Sequence, residues 1–151
     1  MLNTRVPPPL VALCCAGLMW GVAELWPELR VSIPLQWIWA MLLIGAGLAI
    51  DLVSVAAFFK ARTTVTPLAP EKASSLVTGG LYRFTRNPMY LGMLLILTGI
   101  ALFLASPINI AMLGAFIGYI TAFQIKPEEA LLEAKFGEAY REYKQRVRRW
   151  L

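Results

Sequence analysis

Two short segments hold most of the side chains able to do chemistry. In the first, Leu76 to Gly92, the aromatics Tyr82, Phe84 and Tyr90 interleave with Arg83 and Arg86, and Asn87-Pro88 lies just before Tyr90. In the second, Lys126 to Leu151, Glu128 and Glu129 follow Pro127, and Arg149 stands near the end. An arginine beside a helix start suits an anion. The first backbone N–H groups of a helix are unpaired and partly positive, and a guanidinium adds a two-pronged donor. Asn-Pro is equally a plain helix start, with Asn as the N-cap and Pro in the first turn, and the residues alone leave the two readings even. Glu128 and Glu129 have a bland role too, because acids favour a helix's first turn. The chain has no histidine, which excludes a histidine base, a histidine triad and a histidine metal ligand. Cys14 and Cys15 are adjacent in an apolar run, without metal-ligand spacing, and are expected to be buried as small hydrophobes. No metal site is predicted.

The elements that must position these residues are membrane helices. Of 151 residues 58% are hydrophobic and 15% charged, against roughly a quarter charged in soluble domains. That balance excludes a water-soluble globule, a disordered chain and a nucleic-acid tail. Four apolar stretches approach the ~20 residues a bilayer demands: about Leu10 to Trp26, Gln36 to Phe59, Tyr90 to Ala105 and Ile108 to Ile125. The first could instead serve as a signal peptide, but it lacks a small-x-small cleavage site and ends in Glu24 and Trp26 like an interfacial helix. Ser106-Pro107 predicts a tight turn joining the last two spans into an antiparallel hairpin. The fold class is therefore all-α: a polytopic membrane bundle in one domain, 1–151, with a connector from Lys60 to Pro88 and a C-terminal amphipathic helix.

Charge orients the bundle. Lys60, Arg62, Lys72, Arg83 and Arg86 precede the third span, and Lys126, Lys135, Arg141, Lys144, Arg146, Arg148 and Arg149 follow the fourth. With four spans both basic segments share one face, and the positive-inside rule makes it cytoplasmic, with both termini. The net charge of +5 thus reports topology first and attraction to anionic lipid second. Gly17 with Gly21, and Gly114 with Gly118, predict close helix contacts; Gly45 and Gly47 thin the second helix. Leu132, Phe136, Tyr140, Tyr143, Val147 and Trp150 form one apolar stripe along the tail, interrupted by Gly137. Asp51 lies deep in the second span on a face with Gly47 and Ser54. A structural hydrogen bond is the first expectation there, and an ion or substrate role the second.

The stretch Gly80-Leu81-Tyr82-Arg83-Phe84-Thr85-Arg86-Asn87-Pro88-Met89-Tyr90-Leu91-Gly92 resembles the G-x-Y-x-x-x-R-H-P-x-Y-x-G signature of the isoprenylcysteine carboxyl methyltransferase family, whose architecture phospholipid methyltransferases share. Glu128-Glu129, Phe136-Gly137, Tyr140, Tyr143 and Val147-Arg148-Arg149 resemble its E-E, F-G-x-x-Y-x-x-Y and V-P-R elements, in the same order. The resemblance spans about Leu76 to Leu151. Asn87 replaces the signature histidine, Arg148 replaces its proline, and four spans are fewer than better-known members have.

The resemblance implies an integral-membrane methyltransferase with an S-adenosylmethionine pocket built from segments 76–92 and 126–151. Tyr82, Arg86, Asn87, Pro88, Tyr90, Glu128 and Glu129 would line the cofactor. Arg86, Glu129 and Arg149 would form the catalytic group, with the arginines placing a carboxylate and an acid serving as base for an amine acceptor. The implied acceptor is lipid-like: a carboxylate or thiolate of a prenylated molecule, or a lipid amine. Two other classes stay open at this point. One is a non-enzymatic carrier working through Asp51 and Glu24; the other is an NADPH-dependent reductase of the sterol type.

Overall fold

A computed structural model describes residues 6–60 and 75–151. Arg62, Lys72 and most of the connector between the second and third spans lie outside the described residues. The described elements are six α-helices and shorter turns, without strands. Helix α1 (Pro8–Leu25) opens with proline in its first turn, where a missing N–H costs nothing. After a single 3-10 turn at Pro27–Leu29, Arg30 folds back and donates to the Ala23 carbonyl (3.1 and 2.9 Å), satisfying an orphan acceptor at the helix end. Arg30 also pairs with Glu24 at 2.8 Å on the exposed surface. Glu24 is therefore a helix-end ion pair, which removes it from the intramembrane sites a carrier would use.

Helix α2 (Gln36–Lys60) packs most extensively against α3 (Pro88–Leu104). Ala105 ends α3 in the left-handed conformation, and the chain turns through Ser106-Pro107 into α4 (Asn109–Ile120), giving the expected hairpin. Among the described residues α1, α2 and the helical run from Asn109 are long and apolar enough to cross a membrane. Helix α3 is shorter, at 17 residues, or about 25 Å. It is the centrepiece of the bundle. Leu97 and Leu104 of α3 meet Met19 and Ala23 of α1, and Phe116 and Ile120 of α4, in one buried cluster.

Glycine makes the α2–α3 contact possible, at Gly47 of the expected Gly45 and Gly47 but not at the two pairs spaced four apart. A Cβ on Gly47 would lie 2.5 Å from the Gly92 carbonyl oxygen, and one on Gly99 would lie 2.8 Å from that of Ala40. At Gly17, Gly21, Gly114 and Gly118 nothing lies within 4 Å. Four-residue spacing locates a smooth stripe, but a partner is needed before the stripe becomes an interface. Cys14 is likewise exposed on α1 and Cys15 half-buried, so the expected burial of both is corrected: these small apolar thiols fit a lipid-facing surface as readily as a core.

The tail also departs from expectation. Helix α4 does not stop at Ile125; a π-turn at Thr121–Ile125 carries it directly into α5 (Lys126–Phe136). Pro127 explains the wide turn, because a proline ring clashes with the carbonyl four residues earlier in a regular helix. Gly137 (φ 55°, ψ −124°) then breaks the helix in a conformation glycine alone adopts easily. Helix α6 (Glu138–Arg146) follows; Val147 leaves it with an extended backbone, and the last residues form an irregular strap. The predicted single amphipathic helix is thus two helices and a strap. Five of the six stripe residues nonetheless share one cluster, Tyr140, Tyr143 and Val147 packing with Leu132 and Phe136 and against Leu76, while Trp150 packs against the membrane-bundle core.

Candidate active site

The site forms where the approach to α3 meets the tail. Gly80 (φ 61°) starts a one-turn 3-10 helix, Gly80–Arg83, which buries Tyr82 with its ring edge-on to Phe58 of α2 at 5.5 Å. The Tyr143 hydroxyl donates to the Tyr82 carbonyl at 2.7 Å, fastening α6 to this turn. The following residues grip the strap. Arg86 N–H donates to the Arg148 carbonyl (2.9 Å), and the Arg149 carbonyl accepts from Asn87 Nδ2 (2.9 Å) and Thr85 Oγ1 (3.2 Å). Thr85 Oγ1 also accepts from the Asn87 backbone N–H at 3.2 Å. Trp150 Nε1 donates to Thr121 Oγ1 at 3.2 Å, reaching the π-turn.

Asn87 stands at the N-cap position of α3 with Pro88 buried behind it, yet its side chain makes no capping bond. Asn-Pro does start the helix, but without a side-chain cap: the amide faces the strap, because the Arg149 carbonyl offers an acceptor there.

Inside this frame lies a buried charge cluster. Glu129 is 7% exposed. It takes Arg149 side-on, Nε to Oε1 at 3.0 Å and Nη2 to Oε2 at 2.7 Å, and takes Arg86 end-on through Nη2 at 3.0 Å. Arg86 Nε and Nη1 are buried and find no hydrogen-bond partner among the described residues. Beside them the Tyr90 hydroxyl donates to Glu128 Oε1 at 2.6 Å.

The apolar part of the long helix ends at Ile125, so Glu128 belongs to its polar continuation. Burial pushes the Glu128 carboxyl up to about 7; the Tyr90 hydroxyl pulls it down and the Glu129 charge pushes it up. Burial raises the Tyr82 and Tyr143 hydroxyls as well, so both stay protonated. Because the folded Glu128 carboxyl lies above its ordinary 4.5, the native state binds more protons between those values, and stability falls as pH rises from about 4.5 to about 7. Thermal unfolding in detergent across that window should show this decline in the wild type and a flatter profile in Glu128→Gln. Tyr90→Phe, lacking the hydroxyl that favours the carboxylate, should extend the decline to higher pH.

The structure brings Tyr82, Arg86, Asn87, Pro88, Tyr90, Glu128, Glu129 and Arg149 into one assembly, while distributing their work unevenly. Arg149 and Glu129 are engaged with each other, and Asn87 holds the strap. The open donors belong to Arg86. Thr85 was missed from sequence; its place between Arg83 and Arg86 is marked only by a hydroxyl, and threonine is common in loops. Asp51 departs from the expected hydrogen bond. Its Oδ1 is buried against Gly92 of α3 without a hydrogen-bond partner among the described residues.

A family model described as phospholipid methyltransferase matches residues 35–139. That is well over half of the sequence. The chain belongs to the phospholipid methyltransferase family. It is 54% identical over 65 residues to an uncharacterized protein of Haemophilus influenzae, covering 42% of this chain and all of that protein. It is 34% identical over 85 residues to protein-S-isoprenylcysteine O-methyltransferase B of Arabidopsis thaliana, covering 56% of this chain and 43% of the relative. It is 29% identical over 125 residues to a probable protein-S-isoprenylcysteine O-methyltransferase of Oryza sativa subsp. indica, covering 83% and 65%. The chain thus spans less than two thirds of these two named relatives. No solved structure matches it. Family membership places this chain among membrane methyltransferases.

Proposed function

We propose that this chain moves a methyl group from S-adenosylmethionine to a lipophilic acceptor at the Arg86–Glu128 site, with that site and both termini on the cytoplasmic side. The observation that carries the reading is the buried pair of unpartnered donors on Arg86, Nε and Nη1. A buried cation with open donors is costly unless an anion completes it; Nε and Nη1 lie on opposite edges of the guanidinium, and a carboxylate oxygen on either edge would complete one of them. The residues fit the group. Arg86 would hold the amino-acid carboxylate, Glu128 its amine or a ribose hydroxyl, and the Tyr82 and Tyr90 rings favour a cation nearby. When bound, S-adenosylmethionine supplies a methyl carbon activated by its sulfonium.

What remains for the protein is positioning and proton control. The strap and α6 fold over the turn before α3 and limit water at Arg86 and Glu128, where charge–charge interactions strengthen as water leaves. An acceptor carboxylate or thiolate arrives already ionised and requires no base. For a lipid amine, Glu128 is the group to take the proton, since its carboxyl is raised to about 7 by burial and a base is most effective when matched to the working pH. Glu129, the other acid expected as a candidate base, is held by two arginines at 2.7–3.0 Å. The apolar exterior of α1, α2 and α4 supports an acceptor that arrives through the bilayer, such as a prenylated or lipid-like molecule.

Calorimetry on detergent-purified protein should detect S-adenosylmethionine and not NADPH. Arg86→Met should weaken binding about 10- to 100-fold, the value of hydrogen bonds to a charged group. Binding of NADPH alone would overturn the reading in favour of a reductase.

A further inference from the structure

We infer that Arg149 is a positioning residue: it occupies Glu129 side-on and so keeps Arg86 open for a ligand carboxylate, with Thr85 setting its place. The inference rests on the methyl-donor reading and assigns a job to the strap that contact with the acceptor does not require.

The geometry is a competition between two guanidinium groups for one carboxylate. Glu129 has two oxygens, and the side-on fork is the arrangement that uses both. Arg149 holds that fork, with Nε on Oε1 and Nη2 on Oε2. Arg86 is left with one end-on contact to Oε1, which is why Nε and Nη1 remain unpartnered. If Arg149 were absent, Glu129 could turn toward Arg86, whose side chain is only 9% exposed and has no water to fall back on. A buried carboxylate and a buried guanidinium would then close on each other in the same fork. One of the two open donors, Nε or Nη1, would be consumed inside the protein together with Nη2.

Arg149 wins because its backbone is fixed before its side chain is. Thr85 Oγ1 and Asn87 Nδ2 converge on its carbonyl, and Arg86 N–H holds the preceding carbonyl. Thr85 is the hinge of this arrangement: buried, it accepts from Asn87 N–H while donating to Arg149. Its hydroxyl ties the turn that carries Arg86 to the strap that carries Arg149.

The test compares two ligands that differ at the amino-acid end, S-adenosylhomocysteine and 5′-methylthioadenosine, by calorimetry on the full chain in detergent. The wild type should prefer S-adenosylhomocysteine. Arg149→Met should reduce that preference about tenfold or more while leaving 5′-methylthioadenosine binding unchanged. Arg149→Lys, which cannot form the fork, should fall the same way. Thr85→Val should reduce the preference by a smaller factor, and Thr85→Ser should keep it. The decisive variant is Arg149→Met with Glu129→Gln. A neutral amide holds Arg86 less tightly than a carboxylate, so the preference should return although Arg149 is still missing. A preference retained in Arg149→Met, an equal loss of both ligands, or no recovery in the double variant would overturn the inference and leave the methyl-donor reading standing. A wild type that binds neither ligand would overturn both.

Discussion

Replacing Glu129 with alanine should lower the thermal unfolding midpoint in detergent by about 10 °C or more. Breaking a buried ion pair by removing one partner costs about 3–5 kcal/mol, because the remaining charge stays in a poor solvent without compensation. In a chain of this length each kilocalorie moves the midpoint by about 2–4 °C. Arg86 is the group left stranded. Its side chain is 9% exposed and packed at the turn before α3, whereas Arg149, 34% exposed, can swing to water. The loss should therefore appear in two places. Global stability falls through Arg86, and the strap loosens through Arg149, which should speed tryptic cleavage around Arg146 and Arg148. Glu129→Gln, retaining shape and one acceptor, should fall less on both measures. Equal midpoints for wild type and Glu129→Ala would show that the cluster contributes nothing to the fold.

Gly92→Ala should also be damaging although it adds only one methyl group. The new Cβ would meet the Gly47 carbonyl oxygen at 2.8 Å and collide with the Asp51 carboxyl. A backbone carbonyl cannot rotate out of the way, so α2 and α3 must move apart along their whole contact. Overpacking of this kind costs about 1–3 kcal/mol, and it acts on the most extensive helix pair in the protein. Adding Asp51→Ala should relieve only the carboxyl part of the clash and recover part of the loss. Gly114→Ala is the matched control, since nothing lies within 4 Å of a methyl there; its midpoint should stay with the wild type. Two-dimensional helix patterns cannot separate these glycines, but the substitution pair does.

Much of the architecture was legible because lipid imposes blunt rules. Apolar runs gave helices α1 to α4 within a few residues of their observed bounds, and Ser106-Pro107 gave the hairpin. The boundaries that moved did so for local reasons: proline begins α1 and α3, so each helix starts at Pro8 and Pro88 rather than at the first long apolar residue. The site residues were legible as a set, because aromatic, arginine and acid types were concentrated in two segments. Their partners were not. Whether Arg149 meets Glu129 or a ligand depends on a backbone carbonyl held by Thr85 and Asn87, and carbonyls are the same in every residue. The fracture of the tail at Gly137 was signalled by the glycine itself, but the π-turn was not. Pro127 could equally have opened a separate helix, as prolines at helix starts usually do.

That turn sets the rotational phase between two halves of one rod. Each residue of an α-helix advances the face by about 100°, and the wide turn lets the five residues of Thr121–Ile125 cover the rotation that four cover in a regular helix. Straightening them into a regular helix with all five residues kept would swing everything after Lys126 by about that angle. Tyr90 would lose Glu128, and Arg86 would face a different side of α5. Helix contacts before the turn and the Glu128–Glu129 pair after it therefore stay in phase only while the wide turn between Ile120 and Lys126 is kept.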